Sequence, residues 1–119
     1  MPKSSLIQPV STFEPLPAAP LPEIKTPVEY AFETLRAEIE EFQDSLENGE
    51  AVGGLLASFG KTISLQITRL TLSGQFFCFD GIIETGEEAR LVQHFTQTSV
   101  LLVKVRTEKP TRPIGFLAQ

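Results

Sequence analysis

The stretch ISLQITRLTLSGQFFCFDGII, residues 63–83, decides the fold because its apolar side chains recur at every second position. Isoleucine and leucine alternate with polar residues from Ile63 to Ile67, which is typical of a strand with one buried face. The phase changes near Arg69, since Leu70 follows on the opposite parity. A β-bulge or a strand break would produce this change, so the pattern predicts one there.

Turn residues divide the rest of this half into further short strands. Ser73-Gly74 predicts a turn before the aromatic strand QFFCFDGIIE, in which Gly81 predicts a bend. Thr85-Gly86 predicts a second hairpin, leading into ARLVQHF. After the turn TQTS, VLLVKVR at residues 100–106 reads as a last apolar strand, and Leu55–Phe59 as a short first one.

A single helix is predicted ahead of these strands, in TPVEYAFETLRAEIEEFQDSLENG, residues 26–49. Thr26 and Glu29 form a capping box around Pro27, and Asn48-Gly49 supplies the stop. Its apolar side chains are spaced 4, 3, 4, 3, 4: Val28, Phe32, Leu35, Ile39, Phe42 and Leu46. This stripe either packs on the chain's own sheet or pairs with another helix across an oligomer interface.

These elements predict an α+β fold. Residues 1–26 hold most of the prolines and form an extended, Pro-rich arm, which is either a free tail or docks on its own or a neighbouring subunit. Residues 27–119 form one domain, in which the amphipathic helix precedes a four- to five-stranded antiparallel sheet. The sheet is expected to lie against the helix or to curl into a small SH3- or Sm-like barrel. The tail at residues 107–116 is predicted to be loop or edge, since proline cannot pair centrally.

Composition narrows the class of protein. The chain has 119 residues, a net charge of −5 and a single cysteine, Cys78. An acidic balance makes nucleic-acid binding an unfavoured function. One cysteine permits no internal disulfide, and the sequence has neither a signal-peptide pattern nor an apolar run of membrane-helix length. We therefore expect a cytoplasmic protein without a membrane partner.

The sequence offers no catalytic set, metal site or cofactor motif. Cys78 lies among phenylalanines, where a small buried side chain is expected, and its pairing with His94 as a dyad is the least favoured function. One histidine and one cysteine do not make a structural zinc site. The segment GLLASFGK at residues 54–61 has the wrong spacing and context for a phosphate loop. The chain is predicted not to be an enzyme.

Basic residues near the C-terminus suggest a different kind of site. Arg106, Lys109 and Arg112 follow one another closely, and guanidinium groups recognise phosphate or carboxylate. Gln93 and His94 are the polar residues of a neighbouring strand, and alternation places them on opposite faces. These five are the candidate ligand-binding residues for a small anion such as a nucleotide. The competing interpretation pairs the basic groups with the acidic helix and leaves His94 as a rim or core group.

Four segments also resemble a family of small bacterial proteins: LASFGKTISLQI, FDGIIETGEEARLVQH, LVQHFTQTSVLLVKV and KPTRPIGF. That family shares a Leu-x-Gln-His-x-x-Gln core and an Arg-x-Ile-Gly-Phe ending, and it is a domain of unknown function. The resemblance spans Gly54–Phe116 and implies a fold unit without an activity. The matching positions are Ser58, Phe59, Gly60, Gly81, Gly86, Leu91, Gln93, His94, Gln97, Leu101, Leu102, Pro110, Arg112, Ile114, Gly115 and Phe116.

The leading hypothesis is a non-enzymatic, homo-oligomeric binding or interaction protein. The alternative is a protein that sequesters a small anionic ligand, in a bacterium or in a phage that counters bacterial defence.

Overall fold

The computed structural model describes residues 24–58 and 60–119, so the predicted Pro-rich arm lies outside the described residues except for its last three. Over the described residues the chain is α+β, with one α-helix followed by a six-stranded sheet. A 3₁₀ turn, Phe95–Gln97, joins the fourth and fifth strands. The elements are α1 Pro27–Asp44, β1 Glu50–Ser58, β2 Lys61–Ser73, β3 Phe76–Ile82, β4 Glu88–His94, β5 Val100–Arg106 and β6 Gly115–Ala118.

Helix α1 begins as the sequence predicts. The Thr26 hydroxyl accepts from the backbone N–H of Glu29, and the Glu29 carboxylate accepts from the N–H of Thr26 at 2.8 Å. That backbone hydrogen bond holds the pKa of Glu29 below its ordinary value. The helix ends at Ser45, ahead of the predicted stop at Asn48-Gly49, because the Ser45 hydroxyl donates to the carbonyl of Phe42 at 2.6 Å.

The apolar stripe of α1 packs on the chain's own sheet. Val28, Phe32 and Ile39 are buried in the core, with Ile39 fully inaccessible, and Leu35, Phe42 and Leu46 pack against the same core. Of the two uses that the sequence left open, the structure shows the contact with the chain's own sheet. Helix-to-helix contact between subunits through this stripe, like oligomer formation itself, stays a prediction.

The sheet has the order β4-β3-β2-β1-β5, and β6 pairs with β2. All pairings are antiparallel except that of β6, which runs parallel to β2. The predicted phase change is confirmed as a register shift between Ile67 and Arg69 in the β2–β3 ladder. The shift keeps Ile67 and Leu70 both buried, although their parities differ.

Gly81 lies where this bulge forces two backbones together. A Cβ at Gly81 would overlap the carbonyl oxygen of Gln66 and would lie 2.7 Å from the side chain of Leu65. No residue with a side chain fits there, so glycine is required by close approach.

The sheet is strongly curved. The Gln93 side chain on β4 donates to the carbonyl of Ala57 on β1 at 2.8 Å, although β3 and β2 lie between these strands. In a flat sheet, strands three places apart are separated by about 14 Å, beyond the reach of a glutamine. Among the described strands no ladder joins β4 to β5, so closure into a small barrel stays a prediction.

We predict that Gly81→Ala lowers the free energy of unfolding by about 2–4 kcal/mol, because the added methyl group overlaps the backbone of β2. Gly115→Ala on β6 is the matched control, since its Cβ would meet the nearest atom, on Arg69, at an ordinary 3.7 Å. Urea denaturation of both variants measures the difference. Equal stability of the two would contradict the close approach.

Candidate functional site

The structure divides the predicted anion-binding residues between two ends of the sheet. Arg106 lies opposite Glu50 at one end of the β1–β5 ladder, and Val100 lies opposite Leu56 at the other. Six residues of strand separate these pairs by about 20 Å. Gln93 reaches Ala57, the residue after Leu56, so Gln93 and His94 lie near the second end. They do not share a site with Arg106.

Lys109 and Arg112 line a cleft of about 810 Å³ between the end of α1, the start of β1 and the loop before β6. Glu47 and Glu50 line the same cleft, so its formal charges balance. The C-terminus of α1 also lies there and adds negative potential. The electrostatics of this cleft therefore do not favour an anion.

The loop that forms one wall of the cleft is held at both of its ends. The Thr107 N–H donates to the carbonyl of Gly49 at 2.9 Å, and the buried Ile114 donates its N–H to the Gln43 side chain at 2.8 Å. Lys109 and Arg112 are exposed between these anchors. The loop is thus fixed by backbone hydrogen bonds, and its cations project into solvent along the cleft.

Gln93 points inward and is only 8% exposed. Its Nε2 donates to the Ala57 carbonyl, while its Oε1 has no hydrogen-bond partner among the described residues. Gln93 therefore joins β4 to β1 and does not line the cleft. This role was not predicted, because it depends on the curvature of the sheet.

His94 lies on the same face as Val92 and opposite Gln93, as alternation predicts, and this face is the outward one. Its Nδ1 accepts the backbone N–H of Thr96 at 3.3 Å, and its ring packs edge-on to Phe76 at 5.3 Å between centroids and beside Phe95. The ring thus caps the 3₁₀ turn, a structural contact in which Nδ1 is the acceptor.

Cys78 is buried on the outward side of β3, opposite Val92. His94 lies two residues beyond Val92, and diagonal neighbours of this kind are about 7–8 Å apart. The two side chains therefore form no hydrogen-bonded dyad here. Within residues 24–58 and 60–119, no group of three or more His, Cys, Asp or Glu is placed to hold a metal ion.

Two other cations of the sheet, Arg90 and Lys61, lie away from the basic residues near the C-terminus. Arg90 on β4 makes a bidentate ion pair with Asp80 on β3, at 2.5 and 3.1 Å, which raises the pKa of Arg90. Lys61 lies at the start of β2, opposite Ser58, and so at the far end of β1 from Arg106. The basic segment therefore consists of Arg106, Lys109 and Arg112, without Arg90 or Lys61.

An apolar surface on β5 was not recognised in the sequence. We define the β5 edge surface as the outward side chains Leu101, Val103 and Val105. Among the described strands β5 has one neighbour, β1, and no described strand pairs with its other edge, which we call its open edge. Leu101 is 60% exposed, and Val103 and Val105 are half-buried beside Gly53. The alternation in VLLVKVR was visible, but its position at the edge of the sheet was not.

A sequence model described as "Family of unknown function (DUF6173)" matches residues 23–117. The match includes the helix as well as the sheet, and so is longer than the resemblance over Gly54–Phe116. No curated protein and no solved structure matches the chain. In the part of the chain that the structure describes, no helix is both long and apolar enough to cross a membrane.

We predict that Gln93→Glu destabilises the protein by about 2–4 kcal/mol at neutral pH, because it buries a carboxylate against the Ala57 carbonyl. Burial would raise the pKa of the new carboxyl above its unfolded value of about 4.3. The destabilisation is then smallest below that pH and grows as the pH rises through the folded pKa. Thermal melts from acidic to neutral pH measure it.

The matched control is Gln97→Glu, since Gln97 is exposed in the 3₁₀ turn of the same connection. Its melting temperature should follow the unmodified protein across the pH range. An equal effect at both positions would contradict the buried hydrogen bond of Gln93.

Proposed function

This chain belongs to the family of unknown function whose model spans most of it, and we propose that it is a non-enzymatic, oligomeric interaction protein acting through its sheet. The observation that carries the proposal is the β5 edge surface. An open strand edge presents unpaired N–H and C=O groups, and natural proteins normally shield such edges with charge, proline or a covering element. On β5 the charged residues Lys104 and Arg106 lie on the inward side, and the outward side chains are apolar.

A second outward surface supports the same proposal. The registers place Leu117 of β6, Thr71 of β2, Cys78 of β3 and Val92 of β4 in one row across four strands. Leu117 and Val92 are 44% and 53% exposed, and Phe76 is exposed beside this row. Apolar side chains gathered on an outward sheet face mark interaction surfaces more often than single exposed residues do.

The cellular setting that we propose is the cytoplasm of a bacterium. The single cysteine is buried and unpaired, which suits a reducing compartment. The bacterial origin is carried over from the resemblance of the Leu-x-Gln-His-x-x-Gln and Arg-x-Ile-Gly-Phe motifs. No catalytic residues are part of the proposal.

The second candidate function is sequestration of a small anion by the segment from Arg106 to Arg112. The observation in its favour is that Arg106 and Lys109 line one shallow depression with Gly49, while Arg112 lines the adjoining cleft. Against it stand Glu47, Glu50 and Glu108 in the same region. Gln93 and His94 take no part in this candidate.

For the leading proposal we expect native mass spectrometry of the purified full chain to give a mass of two or more whole chains. The same sample after denaturation gives the mass of one chain and serves as the control. An excess mass that vanishes on denaturation would reveal a co-purified ligand and favour the second candidate. A monomer at every concentration tested would overturn the oligomer.

For the second candidate we expect the melting temperature to rise with a panel of mono- and cyclic nucleotides, because a ligand that binds only the folded state stabilises it. The rise should be lost in Arg112→Ala and retained in Lys61→Ala, which removes a cation at the other end of β1. Melting temperatures that do not change at saturating nucleotide would exclude these ligands.

A further inference from the structure

We propose that the partner of the β5 edge surface is a second copy of this chain, and that the two β5 strands pair antiparallel about a two-fold axis at Val103. This inference rests on the proposed function and names its interface. The pairing would join two sheets into one continuous sheet. It follows from which backbone groups of β5 face the open edge and from how its side chains meet their own copies.

The backbone groups of alternate β5 residues point in opposite directions. The Thr107 N–H donates to the carbonyl of Gly49, and the β1–β5 register continues from this pair through Ala51 opposite Val105 to Gly53 opposite Val103. In an antiparallel ladder hydrogen-bonded pairs recur at every second position. The odd-numbered residues of β5 therefore face β1, and the even-numbered ones direct N–H and C=O to the open edge.

This parity restricts how two β5 strands can pair. Even-numbered residues must lie opposite even-numbered residues, so the two-fold axis has to pass through a residue and not between two. An axis at Val103 pairs all seven residues of the strand. An axis at Lys104 sets that ammonium group against its own copy, and one at Leu102 leaves Val105 and Arg106 outside the paired strand.

The axis at Val103 also brings the outward side chains together. Val103 meets its own copy, and Leu101 meets Val105 of the second copy. These are non-hydrogen-bonded pairs at the new edge, which have the shorter Cα separation of about 4.5 Å and the closer side-chain contact. Apolar groups therefore occupy the tightest positions of the interface.

The inward side chains create no charge conflict. With the axis at Val103, Leu102 faces Lys104 of the second copy, and Val100 faces Arg106. Within its own chain Lys104 extends toward the end of α1 and donates to the Ser45 carbonyl at 3.3 Å. No like charges lie directly opposite each other.

The size of the interface sets the expected strength. Four even-numbered residues in each chain provide about eight N–H···O bonds between the strands. A single strand pair of this length falls below the roughly 1,200 Å² of a standard interface. We therefore expect a dimer that dissociates on dilution in the micromolar range. Because a two-fold interface uses the same surface on both chains, assembly through β5 stops at two copies.

Disulfide trapping tests the position of the axis in a Cys78→Ala background. Val103→Cys should give a covalent dimer under mild oxidation, since only a residue on the axis lies opposite itself at a distance that a disulfide can span. Leu101→Cys alone should give none, because the two copies of residue 101 would lie about 13 Å apart along the strands. A mixture of the Leu101→Cys and Val105→Cys chains should cross-link.

Charge substitutions provide a second test that needs no cross-link. Val103→Lys should shift the protein to monomer in sedimentation velocity, and an equal mixture of Val103→Lys and Val103→Glu chains should restore a dimer. Glu88→Lys, an exposed position on the outward face of the opposite edge strand β4, is the control and should keep the dimer. Circular dichroism melts check that each variant folds.

The outcomes separate this inference from the proposed function. Two results would contradict the axis at Val103 without contradicting the proposed function. One is a dimer that persists in Val103→Lys. The other is a Val103→Cys variant that oligomerises but does not cross-link. Oligomers larger than a dimer that are lost when β4 carries the substitution would indicate that β4 of one copy pairs with β5 of the next. That result would contradict the two-fold pairing of β5. A monomer throughout would overturn both.

Discussion

The rest of the structure depends on β2, a single strand that pairs with three neighbours and keeps one face buried. One edge of β2 pairs with β3 from Gln66 to Ser73, while its other edge is shared by β1 on the first half and β6 on the second. The strand must also keep apolar side chains inward along thirteen residues. The bulge after Ile67 reconciles these demands, because it reverses the parity where the neighbour on one edge changes.

This constraint accounts for features at a distance from the bulge. Gly81 has no side chain because β3 closes tightly on the bulged backbone of β2. The curvature brings Gln93 on β4 within hydrogen-bonding distance of Ala57 on β1, so this bond joins two strands that are three places apart in the sheet. The helix covers this concave face with its apolar stripe, which packs against the core of the same chain.

The same geometry decides where function can reside. With β6 occupying the second half of the β2 edge, β1 carries β5 beyond it as the last strand of the sheet. An apolar strand in that position can bind a partner through both its unpaired backbone groups and its side chains. The cleft beside the basic loop has balanced charges and the negative end of a helix, neither of which favours an anion. The contrast favours protein contacts along an edge over capture of an anion.

The sequence by itself determined the elements and their faces. Capping residues placed the start of α1, alternation placed Gln93 and His94 on opposite faces of their strand, and the change of parity near Arg69 located the bulge. These features are local, since each follows from hydrogen bonds or side-chain directions within a few residues. The tail was expected to be loop or edge, and Gly115–Ala118 does pair at an edge.

Only the tertiary structure decided which of these elements meet. Proximity in sequence grouped Gln93 and His94 with Arg106, but the ladder sets them about 20 Å apart. Spacing alone left the stripe of α1 open to either its own sheet or another helix, because both present the same apolar surface. Nothing local marks β5 as an edge strand. That property belongs to the order of strands, which is fixed by contacts between residues distant in the chain.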